Sequence, residues 1–268
     1  MAEGGAIAID AWHLALSAVL VLAAGVVSVA LRLGIEKRLA IASLRTVVQL
    51  LLVGYVLGWV FALREPFLVL VLLTVMVGAA SRAAVGRSSR RYRGVHGVAF
   101  VTLCLSGLAT TLATTELVIG VEPWWRPQYV VPLLGMVLGN GLTGLSLCLD
   151  DLLQSFAEHK DKVEAELALG ATRWEAARDP VRQSIRRGLI PILNSMSVVG
   201  IVSLPGMMTG QILEGADPAR AVRYQIVIMF MLAGATALGC MLLALATYRR
   251  LFNARHQLRA ERIEKIPD

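Results

Sequence analysis

Three observations predict an all-α fold, a polytopic transmembrane helical bundle. Of 268 residues, 56% are hydrophobic and 17% charged, and the mean hydropathy is +0.66, too apolar for an ordinary water-soluble domain. Uncharged apolar runs recur at about the 20-residue length that lets a helix cross the hydrocarbon. The basic residues gather in alternate gaps between those runs.

The first run, Trp12 to Leu31, carries no charge. It has no basic segment before it and no small-residue cleavage site after it, so it reads as a retained span and not as a signal peptide. Further runs follow at roughly Thr46 to Leu63, Pro66 to Ala80, Val95 to Leu112, Val130 to Leu149, Leu189 to Leu213 and Ile226 to Thr247. That makes about seven spans, with the termini on opposite sides. An outside N-terminus leaves only Arg64, Arg126, Arg220 and Arg223 outside, four of 26 basic residues. The other basic residues then lie at the inner face, which makes the C-terminus cytoplasmic, with a basic tail at about 249–268. The net charge of +7 is explained by that face and calls for no nucleic acid.

Several chemistries are excluded. Cys104, Cys148 and Cys240 lie in or at the ends of apolar runs without CxxC spacing, and read as buried thiols. His13, His96, His159 and His256 are scattered, so no helix carries a metal-binding pair. No Gly-Lys dipeptide occurs, so a phosphate-cradling P-loop is not expected and any ATP is bound by another chain. No Ser/His, paired Asp or HExxH arrangement lies within a span, which argues against an intramembrane enzyme.

The longest break in the apolar pattern, Asp150 to Arg187, contains DKVEAELALGATRWEAARDPVRQSIRR. Leu152, Leu153, Phe156, Val163 and Leu167 recur at near-helical spacing and predict an amphipathic helix over Asp151–Leu169. Gly170 stops it. Thr172 and Glu175 form a capping-box pattern that starts a second helix, which Pro180 is expected to bend or end. The segment is therefore a helix–turn–helix, equally readable as a connector lying on the membrane.

The sixth run contains GIVSLPGMMTGQIL, from Gly200 to Leu213. Pro205 removes a backbone donor, and Gly206 and Gly210 add no restraint, so this span should kink or unwind near its middle. Irregular backbone at membrane depth is tolerated only where protein or a wet cavity covers it, and broken helices often build transport sites. Asn194, Ser195, Ser197, Ser203, Met207, Met208, Thr209 and Gln211 supply neutral or soft side chains, with Glu214 near the outer end. Met207 and Met208 are equally readable as gap-fillers in a kinked core.

Three further segments carry polar or small residues. Gly135, Gly139, Gly141 and Gly144, with Asn140 beside them, have the spacing of a close helix contact, within the chain or between copies. Arg45 and Gln49 lie one turn apart near the inner end of the second span; Arg45 snorkels, and the deeper Gln49 faces protein or a cavity. Thr110, Thr111, Thr114, Thr115 and Glu116 line an outer vestibule or end the fourth helix.

EAELALG, with Glu164, Ala165 and Gly170, resembles the EAA loop of ABC-transporter membrane subunits, with Glu166 in place of the second Ala. VVQLLLVGYVLG from Val47, VPLLGMVLGNGLTG from Val131, ELALGATRWEAAR from Glu166 and VGIVSLPGMMTGQILEGADPARAVRYQIVIMF from Val199 resemble the FetB-type iron-export permeases, a family that includes plant membrane subunits linked to aluminium tolerance. The likeness runs from about Arg45 to Tyr248.

The resemblance implies one transmembrane permease domain over 1–268 in the bacterial inner membrane. It implies an ATP-driven exporter of iron or another metal, with two permeases and two separate ATPase subunits that bind ATP and Mg, and no cofactor on this chain. The coupling segment at about 150–187 would meet the ATPase through Glu164, Ala165, Glu166, Ala168, Gly170, Ala171, Thr172, Arg173 and Glu175. The path or gate would comprise Gln49, Asn140, Asn194, Ser203, Pro205, Gly206, Met207, Met208, Thr209 and Gln211. Transient metal contacts would fall to Met207, Met208, Gln211 and Glu214. A strongly held hard cation wants several carboxylates and thioethers prefer soft metals, so iron implies either weak oxygen contacts or a chelated cargo. The alternative is a gradient-driven secondary transporter or channel. Proton-coupled carriers usually keep an acidic residue near mid-membrane, and none lies deep in these spans.

Overall fold

The computed structural model describes residues 10–63, 65–253 and 255–266; Arg64, expected outside, falls beyond them. Ten α-helices follow in order. The first three are α1 (Ala11–Ala30), α2 (Glu36–Leu63) and α3 (Pro66–Gly86). Next come α4 (Val95–Leu103) and α5 (Ala109–Ala113), joined by a π-helical turn at Cys104–Leu108 and continued by another at Thr114–Ile119. The remainder are α6 (Pro127–Glu158), α7 (Lys160–Ala168), α8 (Arg173–Val198), α9 (Gly206–Leu213) and α10 (Pro218–Leu251).

Six helices among the described residues are long and apolar enough to cross a membrane: α1, α2, α3, the composite Val95–Ile119, α6 and α10. The sixth of the seven expected runs, 189–213, is not one helix but the end of α8, a break and α9. The fourth span runs past the expected Leu112, and within it Thr110 and Thr115 return their hydroxyls to carbonyls of the preceding turn (2.6 Å to Ser106 O, 2.9 Å to Thr111 O), which satisfies them without water. It is a helix interior, and Thr111, Thr114 and Thr115 are buried within it.

Two expectations for the 150–187 segment change. The first amphipathic helix is mostly an extension of α6, which continues to Glu158 because Leu152, Leu153 and Phe156 are fully buried, and the break falls at His159. Pro180 neither ends the second helix nor stands alone, since α8 passes through Pro180 and Pro191. A proline inside a helix costs about 3 kcal/mol. Burial of Ala176, Ala177, Val181, Ser184, Gly188 and Ile192 along one stripe offsets it.

The packed centre is α6, α8 and α10, flanked by α3 and α4. Gly144 of α6 and Gly188 of α8 set its closest crossing. A Cβ on Gly188 would lie 2.7 Å from Cys240 Sγ and 2.8 Å from both Cys148 Cβ and Gly144 O. The small residues at 141 and 144 therefore serve packing within one chain. By contrast α1 and α2 pack mainly on each other, with only 6% of each span's apolar window buried against 56% for α6. Cys148 and Cys240 are buried free thiols and Cys104 is a half-buried one.

Candidate functional site

At the basic end of the bundle, α7 and α8 meet in a turn whose N–H groups from Leu169 to Thr172 all find acceptors in the chain. Gly170 has φ +96°, a conformation open to glycine and poor for other residues. Its N–H donates to Leu167 O (3.1 Å) and that of Ala171 to Glu166 O (3.1 Å), the paired bonds that close a helix C-terminus. Thr172 then caps α8. Glu175 N donates to Thr172 Oγ1 (3.3 Å), while Thr172 N and Oγ1 both donate to Glu175 Oε2 (2.7 Å each). These bonds, first the backbone one, hold the Glu175 carboxyl below its ordinary range.

Leu169, at the apex, is 89% exposed. Around it Glu164, Ala165, Ala168 and Gly170 are exposed, and Glu166, Ala171 and Arg173 partly so. The turn thus holds one large apolar side chain out among small ones. The Lys160–Glu164 ion pair (3.6 Å) is half-exposed on both sides and contributes little.

The sequence reading did not single out the residues that anchor this turn. Asp150 Oδ1 accepts from Ser89 N (2.7 Å), Ser89 Oγ (2.7 Å) and Ser88 Oγ (3.3 Å). Its neighbour Asp151 pairs with Arg187 of α8 at 2.6 Å. One turn of α6 thus holds both the loop after α3 and the shaft of α8. The tail is a clasp as well as a basic segment. Strand β1 (Arg90–Arg91) pairs antiparallel with β2 (Glu264–Lys265), His256 Nδ1 accepts from Arg173 N at 2.9 Å, and Tyr248 and Phe252 stack edgewise on Trp174 and Phe156. The Asp150–Asp151 pair at a span end was the one visible signal; its partners lie at least 36 residues away.

The break between α8 and α9 is built differently. Val198 O receives the N–H groups of Ile201 (3.3 Å), Val202 (2.9 Å) and Ser203 (3.3 Å), and Gly200, at φ +82°, donates to Ser203 O (2.9 Å). Pro205 precedes α9 and offers its first turn no side-chain acceptor. Ile201 and Val202 are 87% and 79% exposed. The unwinding expected at Pro205 is therefore present, displaced toward Gly200.

The expected path residues divide. Ser203, Pro205 and Gly206 form the break itself; Met208 lines a cleft beside it, whereas Met207 packs into a small core with Leu133, Ile192 and Ile228. Thr209 Oγ1 turns back to Pro205 O (3.2 Å), and Gln211 Oε1 is buried without a partner. Glu214 caps the far end of α9 and is exposed. Asn194 is exposed on α8, Asn140 is exposed on α6 and donates to Met136 O (3.0 Å), and Gln49 is exposed on α2, which makes few contacts with the central bundle. Among the described residues no group of three His, Cys, Asp or Glu could hold a metal ion. GNGLTG, Gly139–Gly144, does have the GxGxxG spacing. It lies within α6 with no strand before it, so it packs helices and is no dinucleotide loop.

Six apolar helices and an almost wholly helical chain define a multi-pass integral membrane protein. The chain belongs to the family described as Uncharacterised protein family (UPF0014), whose model matches residues 11–252. It is 35% identical over 252 residues to the Probable iron export permease protein FetB of Escherichia coli, covering 94% of this chain and 96% of that one. It is 39% identical over 217 residues to a UPF0014 membrane protein of Synechocystis sp., covering 80% and 83%. With Protein ALUMINUM SENSITIVE 3 of Arabidopsis thaliana it shares 32% over 240 residues, covering 90% and 86%. No solved structure matches. Fold and family together make it a multi-pass membrane protein of that family.

Proposed function

We propose that this chain is the permease half of an ATP-driven ABC exporter that moves iron or another metal out of the cytoplasm, with the α7–α8 turn on the cytoplasmic side. The observation that carries the reading is α8. This single helix runs unbroken from the capped, exposed turn at Thr172 to the break at Val199. Its 26 residues span about 39 Å. A push on the turn is thus delivered to the irregular backbone along one continuous helix.

Two copies of the chain would pair with two ATPase subunits, which bind ATP and Mg, and closure of the ATPase dimer would bear on Leu169 and its small neighbours. Asp151–Arg187 and the tail clasp would make α6, α8 and α10 move as a body, shifting cargo access from one membrane face to the other. The name of the Escherichia coli relative supports iron and export.

The test is ATP hydrolysis and metal movement by the chain co-reconstituted with an ABC-type ATPase in vesicles. Gly170→Val and Leu169→Glu are expected to leave the protein inserted while stimulated turnover and transport fall at least tenfold. Unchanged turnover and transport in both variants would remove the coupling assignment.

A further inference from the structure

A cleft of about 550 Å³ lies between the α8–α9 break and α10, within the size range of small-molecule sites. Its walls include Met196, Pro205, Met208, Met229, Phe230 and Gln225, and no ionisable residue lines it. Gln225 is the exception to an apolar surface. The residue is 7% exposed, its amide atoms are not fully enclosed, and no side-chain hydrogen bond ties them within the described chain, so they are open to the cleft. An amide that faces the cleft without a protein partner is open to a hydrogen bond from a ligand there.

We infer that this cleft binds the cargo as an uncharged, mostly apolar metal complex, with the Gln225 amide bonding a polar atom of the chelator. The inference rests on the transport reading above and names its substrate class. A bare iron ion wants several oxygen ligands, carboxylates foremost, and the cleft offers one amide. Thioethers alone select soft metals such as Cu(I). The adaptable side chains of Met196, Met208 and Met229 suit a varied apolar surface, and a chelator supplies the oxygen shell that the protein lacks. Neutrality also removes the cost of carrying charge through a low-dielectric passage.

The experiment measures equilibrium binding of radioactive iron to the permease in lipid nanodiscs. Iron is supplied as the uncharged 3:1 complex of iron(III) with a bidentate hydroxypyridinone, as anionic iron(III) citrate, or as Fe(II) alone. The uncharged complex is expected to bind saturably, and the other two at least tenfold more weakly. Gln225→Leu is expected to weaken binding roughly tenfold, the loss of about one hydrogen bond. Gln225→Glu keeps the size, adds a charge and should also lose the neutral complex. Saturable binding of Fe(II) or citrate iron as tight as that of the uncharged complex would overturn the inference. So would wild-type affinity for the uncharged complex in both Gln225 variants that elute as monodisperse protein. Co-purification with the ATPase is scored separately, so failure of the cargo class is distinguishable from failure of the exporter reading.

Discussion

The chain interrupts its helices on either side of α8, and the two interruptions follow opposite rules. At 169–172 every turn of backbone is closed by the chain itself, through a left-handed glycine, two terminal bonds and a reciprocal cap. At 199–205 three N–H groups crowd one carbonyl, α9 starts without a side-chain cap, and Gln211 Oε1 on α9 is buried without a partner. In the function proposed above, a turn that must hold its shape against water and a moving partner would need to be self-sufficient, whereas a break in the apolar run would leave polar groups for a ligand to satisfy; the difference would then separate a mechanical element from a site.

The comparison breaks most severely if the shaft joining the two regions is dislodged. Gly188→Val would put side-chain atoms where even a Cβ lies 2.8 Å from the backbone of Gly144, and relief requires α6 and α8 to part. A loss of about 3 kcal/mol is expected from such overpacking, read as a lower unfolding temperature in detergent. An unshifted unfolding temperature would show that the crossing is looser than this geometry. Gly144→Val, which meets Thr236 and Gly188 O at 2.6 and 2.8 Å, should behave alike, while the neighbouring Gly139, with open space around it, should accept alanine with little change.

A smaller effect sharpens the contrast between the two breaks. Gly170 and Gly200 both have positive φ and open space around them, so alanine at either costs roughly 1–2 kcal/mol of local backbone strain. The functional outcomes should differ. Gly170→Ala should reduce ATPase stimulation with cargo binding intact, because it disturbs only the partner surface. Gly200→Ala should change cargo binding and transport with partner assembly intact. Identical defects from the two substitutions would mean that the breaks are not functionally distinct.

How much of this was legible in the sequence follows from the range of the interactions. The capping box and the Gly170 stop were readable because all their partners lie within five residues. The unwinding near Pro205 was readable because proline and glycine act on their own backbone. Pro180 misled because its local penalty is outweighed by a buried stripe whose partners are on α6 and α10, such as Cys240, far along the chain from the Gly188 it meets. Asp150, Arg187 and His256 were missed for the same reason, since nothing near them in sequence shows what they bond. Gln225 gave no signal, because a glutamine in an apolar run has the same appearance whether it is satisfied, facing lipid or lining a cleft.

The smallest expected effect concerns proton linkage at the self-capped turn. Glu175 is ionised in its cap and its pKa is lowered by bonds from Thr172. A lowered folded-state pKa means that the cap's contribution is fully present above the ordinary glutamate value, about 4.3, and fades as pH falls through the lowered one. Hydrogen exchange at the first turn of α8, corrected for intrinsic rates, should therefore lose protection below about pH 4. Protection at the buried Gly144–Gly188 crossing should stay constant. Glu175→Gln should abolish the pH dependence while keeping part of the protection, because its amide oxygen still accepts from Thr172 N. A glutamine variant that keeps the acid transition would move the titration to another group. In that case the turn would owe its shape to the clasp at His256 and Tyr248, and its self-sufficiency, the basis of its contrast with the membrane break, would fail.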